Sequence, residues 1–239
     1  MSTILRILVI NPNSSSSITA ALRGVLQPTC PPDIALTFFN PLTGPPGIKD
    51  PETADQSCSA CLNELTGSAA KLDLLQYDGA VVACFSTHPL IDALRRVYAS
   101  HSHHGQVLGI YHAGVACALL TPDPFGILAT GTGEKPNLVA ATSEFLGASS
   151  SSRFAGVLTT GLQVVELQEG DQAKVEAGMK DTTKRLIAKG AKTIIFGCAG
   201  MSGMEEWVQS AAREQGATVR IVDGAKSGVH MLAAMIRAA

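Results

Sequence analysis

The chain has 239 residues, 46% of them hydrophobic and only 16% charged, with a formal net charge of -2. That balance suits a packed globule of one large domain or two lobes and excludes a mostly disordered chain. With no basic block longer than Arg95-Arg96, the sequence lacks the electrostatic footprint of a nucleic-acid or anionic-membrane binder.

The first apolar stretch, Ile4 to Ile10, is short, carries Arg6 and runs into Asn11-Pro12-Asn13 without a small-residue cleavage site, so it reads as a strand and not as a secretion signal. No apolar run reaches the roughly 18 residues of a membrane span. A cytoplasmic location is therefore expected, with the six cysteines kept as thiols.

Short β-branched runs closed by glycine or polar turns predict strands at Arg6 to Asn11, Ile34 to Phe39, Gly79 to Cys84 and Val107 to Tyr111. Another four are expected at Gly126 to Thr130, Phe154 to Thr159, Thr193 to Gly197 and Val219 to Val222. Runs such as Gly79-Ala-Val-Val-Ala83 and Thr193-Ile-Ile-Phe196 do not alternate with polar residues, as expected of parallel strands covered on both faces. Between them, Leu22, Val25 and Leu26, then Leu90, Leu94 and Val97, then Val175, Met179 and Leu186 recur at helical spacing. The predicted class is α/β: two pseudo-symmetric lobes, each a four-stranded parallel sheet flanked by helices. The expected lobes are residues 1–111, joined by a C-terminal helix at 224–239, and residues 112–223, with the site at their join.

Two stretches stand outside this scheme. Asn40 to Ser57 is rich in proline and glycine, reads as a long loop and is a candidate cover for a pocket. Ser149 to Ser152 reads as a solvated turn before the sixth strand.

The two sets of strands resemble a diverged internal repeat, because each places a cysteine at the end of its third strand. Cys84 lies 73 residues after Asn11, and Cys198 lies 68 after Thr130. The fourth strands pair as Gly109-Ile-Tyr-His-Ala113 beside Arg220-Ile-Val-Asp-Gly224, which sets His112 against Asp223.

Ligands of open parallel sheets bind beyond the carboxyl ends of the strands, where Cys84 and Cys198 both fall. Ser86-Thr-His-Pro89 after Cys84 and Ser202-Gly-Met-Glu205 after Cys198 read as helix starts, the latter with capping-box spacing. A helix N-terminus favours thiolate, so lowered thiol pKa values are expected. Two weakly acidic groups facing each other across one cleft suit inversion at a carbon acid, one removing a proton while the other delivers one. Charge on the adjacent carbonyl then needs donors. Asn13, Ser86, Thr130, Thr132 and the amides around Ala199 and Gly200 are the candidates.

In this combination Asn11-Pro-Asn-Ser-Ser15, Ala83-Cys-Phe-Ser-Thr-His-Pro89, Ala129-Thr-Gly-Thr132 and Gly197-Cys-Ala-Gly-Met201 resemble the hydantoin and allantoin racemase branch of the aspartate/glutamate racemase superfamily, and the likeness covers nearly the whole chain. The resemblance implies two lobes, no cofactor, a cleft at their join and a homo-oligomer, while the charge and hydropathy above leave no nucleic-acid or membrane partner expected. It places the paired catalytic cysteines on Cys84 and Cys198, the substrate-anchoring asparagine on Asn13 and the serine two positions beyond the first cysteine on Ser86; Phe85, Thr130, Thr132, Ala199 and Gly200 are the other candidate substrate contacts. Where the family tends to carry an acidic residue after the fourth strand, this chain has His112, a candidate specificity position.

Other readings compete. His88, four residues after Cys84, fits a Cys-His hydrolase, but that leaves Cys198 without a role. Cys58-Ser-Ala-Cys61 has metal or redox spacing on an expected amphipathic helix, and His101, His103 and His104 cluster in an expected loop. A maleate-type cis-trans isomerase on the same scaffold and a catalytically silent binding protein are the alternatives to a racemase of a cyclic ureide, a 5-substituted hydantoin or allantoin.

Overall fold

The computed structural model describes residues 4–67, 70, 72–131, 133 and 135–239. Its first half runs β1 (Leu5–Ile10), α1 (Ser16–Thr29), β2 (Ile34–Phe39), α2 (Pro51–Thr66), β3 (Gly79–Val82), α3 (Leu90–Ser100), β4 (Gln106–Gly109) and α4 (Ile110–Leu119). The second half runs β5 (Phe125–Ala129), α5 (Lys135–Leu146), β6 (Phe154–Thr159), α6 (Glu166–Glu169), α7 (Gln172–Ala188), β7 (Thr193–Phe196), α8 (Glu205–Glu214), β8 (Arg220–Asp223) and α9 (Gly224–Ala238). The strands form two four-stranded parallel sheets in the same order, β2-β1-β3-β4 and β6-β5-β7-β8. The fold is α/β, and all eight predicted strands are present.

Successive strand residues face opposite sides, and here both sides are buried. In β1, Ile7 and Val9 point into a layer shared by both sheets, whereas Leu8 and Ile10 point outward under Cys61, Leu65, Leu90 and Leu94 of α2 and α3. In β7, Ile195 points inward, while Ile194 and Phe196 pack under Val175, Met179 and Val208 of α7 and α8. Each such fully buried aliphatic side chain contributes about 1.5–3 kcal/mol relative to exposure. The shared middle layer is continuous from Ile7 through Leu22, Val115 and Val229 to Ile127 and Ile195.

The helices of that layer cross over. Helix α4, leaving β4 of the first sheet, packs on α9 and reaches β7 of the second, whereas α9 packs back on β3 and β4. Glycines permit this approach: a Cβ at Gly224 would meet the Ile110 carbonyl oxygen at 2.7 Å, and one at Gly114 would meet Ile195 Cγ2 at 3.1 Å. No helix among the described residues is long and apolar enough to cross a membrane.

Three sequence expectations change. The stretch Asn40 to Ser57 is a loop only as far as Asp50, because Pro51 opens α2. Asp50 Oδ1 accepts the Thr53 N–H at 2.8 Å, and Thr53 Oγ1 returns to the Asp50 N–H at 3.2 Å, a full capping box. The repeat register also shifts. Val82 pairs with Gly109 and Phe196 with Asp223, so Asp223 is the counterpart of Gly109, and His112 lies three residues on, facing Lys226 in the repeat. Finally, Ser202 caps nothing at α8, whose N-cap is Met204 without a side-chain bond. A three-residue 3-10 turn, Ala199–Met201, intervenes, and Gly203 at φ +94° breaks the chain before the helix begins.

Candidate active site

The ends of β3 and β7 are built alike. Past Val82 the Ala83 N–H donates to the Ile10 carbonyl at 2.7 Å, and past Phe196 the Gly197 N–H donates to the Leu128 carbonyl at 2.7 Å. Each ladder thus continues by one bond and then releases the chain at Cys84 and at Cys198. Position 197 requires glycine, because a Cβ there would meet the Leu128 carbonyl oxygen at 2.8 Å and Ile127 Cγ2 at 2.9 Å.

One narrow cavity lies between the two ends. Asn13, Cys84, Phe85 and Ser86 line it from the first half, and Thr130, Cys198, Ala199 and Gly200 from the second. Every candidate from the sequence except Thr132 and His112 is brought to this wall. Thr132 lies outside the described residues. His112 does not line the cavity. It sits in α4 with its Nδ1 3.3 Å from where a Gly109 Cβ would stand, its ring packed on Tyr111 and Phe145. The misplaced repeat register explains the difference: the polar side chain at that strand end is Asp223, which caps α9 through the Ala225 and Lys226 N–H groups.

Sequence reasoning missed the apolar walls, Ile18, Ile48, Leu138 and Val164. Ile48 belongs to the Gly44-Pro-Pro-Gly-Ile48 segment of the expected cover. A Cβ at Gly47 would stand 3.4 Å from Val164 Cβ, so this loop of the first half meets the second half beside the cavity wall. A wider mouth adjoins it at Ile48, Ser86 and Leu138, rimmed by Asp50, Asp55 and Glu144.

Polar capacity inside is specific. Asn13 is buried, and its Oδ1 is taken by Asn11 Nδ2 and the Ser15 N–H, both at 3.0 Å. The amide NH2 of Asn13 remains to serve a ligand. Ser86 Oγ lies 3.4 Å from Cys84 Sγ, and the Ser86 N–H donates to the Cys84 carbonyl at 3.0 Å. Among the described residues no protein acceptor takes the N–H of Phe85 or of Ala199, the residues directly after the two cysteines. Phe85 is braced edge-on by Tyr111 at 5.4 Å, and Gln168 Nε2 holds the Gly200 carbonyl at 2.8 Å.

The thiol expectation fails at Cys198. Burial pushes it up to about 11, opposed by the Gly200 N–H at the sulfur. Desolvation of the thiolate outweighs any dipole, because Cys198 is succeeded by one 3-10 turn and the helix proper starts only at Glu205. In the folded protein at a pH of about 8.5, where an ordinary cysteine is half ionised, Cys198 is expected to alkylate roughly 100-fold more slowly than in the urea-unfolded chain. Per-cysteine mass spectrometry after iodoacetamide pulses checks this, and equal rates would contradict it.

The other titratable candidates fall away from the cavity. Both ring nitrogens of buried His88 are engaged, by the Leu90 N–H and by Ser57 Oγ, which removes it as the base of a Cys-His hydrolase. Cys58 and Cys61 lie on the buried face of α2, and Cys61 Sγ faces the Pro12 carbonyl at 3.6 Å. Among the described residues no group of three or more His, Cys, Asp or Glu converges as a metal site.

The profile of the Asp/Glu/hydantoin racemase family matches residues 7–232 of this chain. The chain belongs to that family. The racemases of this family are isomerases. It is 33% identical to uncharacterized protein C1F7.10 of Schizosaccharomyces pombe, across 98% of this chain and 92% of the relative. It is 29% identical to a hydantoin racemase of Rhizobium meliloti, across 96% of this chain and 88% of that protein. Among solved structures, an allantoin racemase from Pseudomonas fluorescens superposes with a TM-score of 0.80 at 21% identity, covering 98% of this chain and 92% of that one. That likeness is one of fold.

Proposed function

We propose that this family member racemises a cyclic ureide, a 5-substituted hydantoin or allantoin, by proton transfer between Cys84 and Cys198 and without a cofactor. The observation that carries the reading is that the two cysteines, at equivalent ends of the central strands of two equivalent sheets, line one cavity. In such a substrate the hydrogen on the ring carbon is acidified by the adjacent carbonyl. One cysteine, as thiolate, takes that hydrogen, and the electron pair moves onto the carbonyl oxygen as an enolate. The other cysteine, as thiol, returns a proton to the opposite face, and the pair exchanges roles for the other enantiomer. The Asn13 amide and the N–H groups of Phe85 and Ala199 supply donors for the developing oxyanion.

Electrostatics select a neutral substrate. No lysine, arginine or histidine stands among the described residues lining the cavity, and the mouth beside it carries three carboxylates and His88, which burial keeps neutral. A dicarboxylate such as maleate would leave two charges unpaired in a largely apolar cavity, at a cost of several kcal/mol per ion. A ureide ring asks only for hydrogen bonds, and this separates the proposal from the maleate-type isomerase.

Polarimetry of enantiopure allantoin and several 5-substituted hydantoins, with chelator present, tests the reading. Optical rotation is expected to decay to zero with no net hydrolysis. Undiminished rotation across the panel, or turnover of maleate instead, would overturn it.

A further inference from the structure

A buried hydrogen-bond chain ties the Asn13 and Cys84 loops of the first half together through α2. His88 is 2% exposed and Ser57 is 0% exposed. The Leu90 N–H, an orphan donor at the start of α3, donates to His88 Nδ1 at 3.2 Å. Because Nδ1 accepts, the proton of the neutral ring sits on Nε2, which faces Ser57 Oγ at 3.3 Å. Ser57 Oγ in turn donates to the Pro12 carbonyl at 2.6 Å. The polarity of the chain has one solution, since a carbonyl cannot donate. Burial pushes His88 down to about 4, which keeps it neutral and the tautomer fixed across the working range.

The ends of this chain are the two loops that furnish Cys84 and Asn13. His88 closes the loop that begins at Cys84. Pro12 immediately precedes Asn13 and has no N–H to donate, and its carbonyl accepts from Ser57 and is approached by Cys61 Sγ. The capping box at Asp50 fixes the start of α2, so Ser57, two turns along, is held as a rigid post between the loops.

We infer that His88 and Ser57 form a positioning strut that sets the Cys84 loop against the Asn13 loop across the candidate cavity. Neither is a catalytic residue, since they act through the backbone of residues 84–88 and 12–13. The inference rests on the racemase reading for its effect on rate, but not for its effect on the geometry of Cys84.

The chain can be cut at either joint. In His88→Asn the side-chain oxygen replaces Nδ1 and still accepts from Leu90, while the donor to Ser57 is lost. In His88→Gln the amide nitrogen replaces Nε2 and keeps that donor. Ser57→Ala removes the post itself. On a substrate that wild type racemises, His88→Asn and Ser57→Ala are each expected to lower kcat about 10–100-fold, the penalty of a misplacement on the order of 1 Å, with KM changed less. The double variant is expected to lose no more than the worse single one, because both cut one chain. His88→Gln is expected to recover most of the rate.

The other readout is the iodoacetamide alkylation rate of Cys84, followed by mass spectrometry on folded protein whose melting curve remains cooperative. It is expected to change several-fold in His88→Asn and in Ser57→Ala and to return toward wild type in His88→Gln. If wild type racemises nothing, the functional reading fails while the alkylation pattern still tests the strut. Lower melting temperatures with unchanged kcat and unchanged Cys84 alkylation, or losses that add in the double variant, would overturn the strut.

Discussion

Cys84→Ser and Cys198→Ser are each expected to lower racemisation by roughly 10²–10⁴-fold, the range for removing a positioned acid or base. Serine keeps the shape of the side chain and its hydrogen-bonding character but has no accessible anion near neutral pH. With Ser at 198, the enantiomer whose hydrogen faces Cys84 is still deprotonated, yet nothing returns a proton to the opposite face. The loss should appear in kcat for both directions, because each direction needs both groups. Combining the substitutions should cost far less than the product of the single losses, as for groups that act as a unit. Circular dichroism of the variants should match wild type, since both cysteines line the cavity and serine is nearly isosteric. A single variant with wild-type kcat would remove that cysteine from the mechanism.

Asn13→Asp is the other substitution with a large expected effect. Asn13 Oδ1 already accepts from Asn11 Nδ2 and from the Ser15 N–H, and a carboxylate oxygen in its place preserves both bonds. The amide NH2 becomes a second oxygen. A donor aimed at the developing enolate is thereby replaced by negative charge, and kcat should fall by about 10²–10³-fold, as when one oxyanion donor is lost. The measurement is kcat and KM on the enantiomers that wild type turns over, with thermal melts alongside. Unchanged kcat in a folded Asn13→Asp protein would show that Asn13 binds without stabilising the transition state.

Much of this arrangement was legible in the sequence because it is local. Gly79-Ala-Val-Val and Thr193-Ile-Ile-Phe announce doubly covered parallel strands, and chemistry-bearing residues directly after such strands must lie at the carboxyl edge. The repeat then pairs Cys84 with Cys198 before any packing is known. The features that were not legible depend on tertiary contact. Leu138 reaches the cavity from α5 and Val164 from the turn before α6, and neither carries a motif of its own. The raised pKa of Cys198 is a consequence of burial, which the local pattern of a cysteine before a turn cannot disclose. His88 is similar: its spacing from Cys84 suggests an activating base, and only Ser57, 31 residues away, shows where its ring points. Two signals were present but misread. Asp50-Pro51 with Thr53 is a helix start inside the supposed loop. Gly109 matches Asp223 once the strand ends are aligned by Cys84 and Cys198, which moves His112 off the strand end.

Solvent exchange in the single-cysteine variants tests the central claim most directly. Each enantiomer of a substrate racemised by wild type is incubated in D2O with Cys84→Ser or Cys198→Ser, and loss of the ring-carbon proton signal is followed by NMR. The account predicts that each variant exchanges one enantiomer without inverting it, and that the two variants choose opposite enantiomers. Exchange of the same enantiomer by both variants, or of both enantiomers by one, would contradict it.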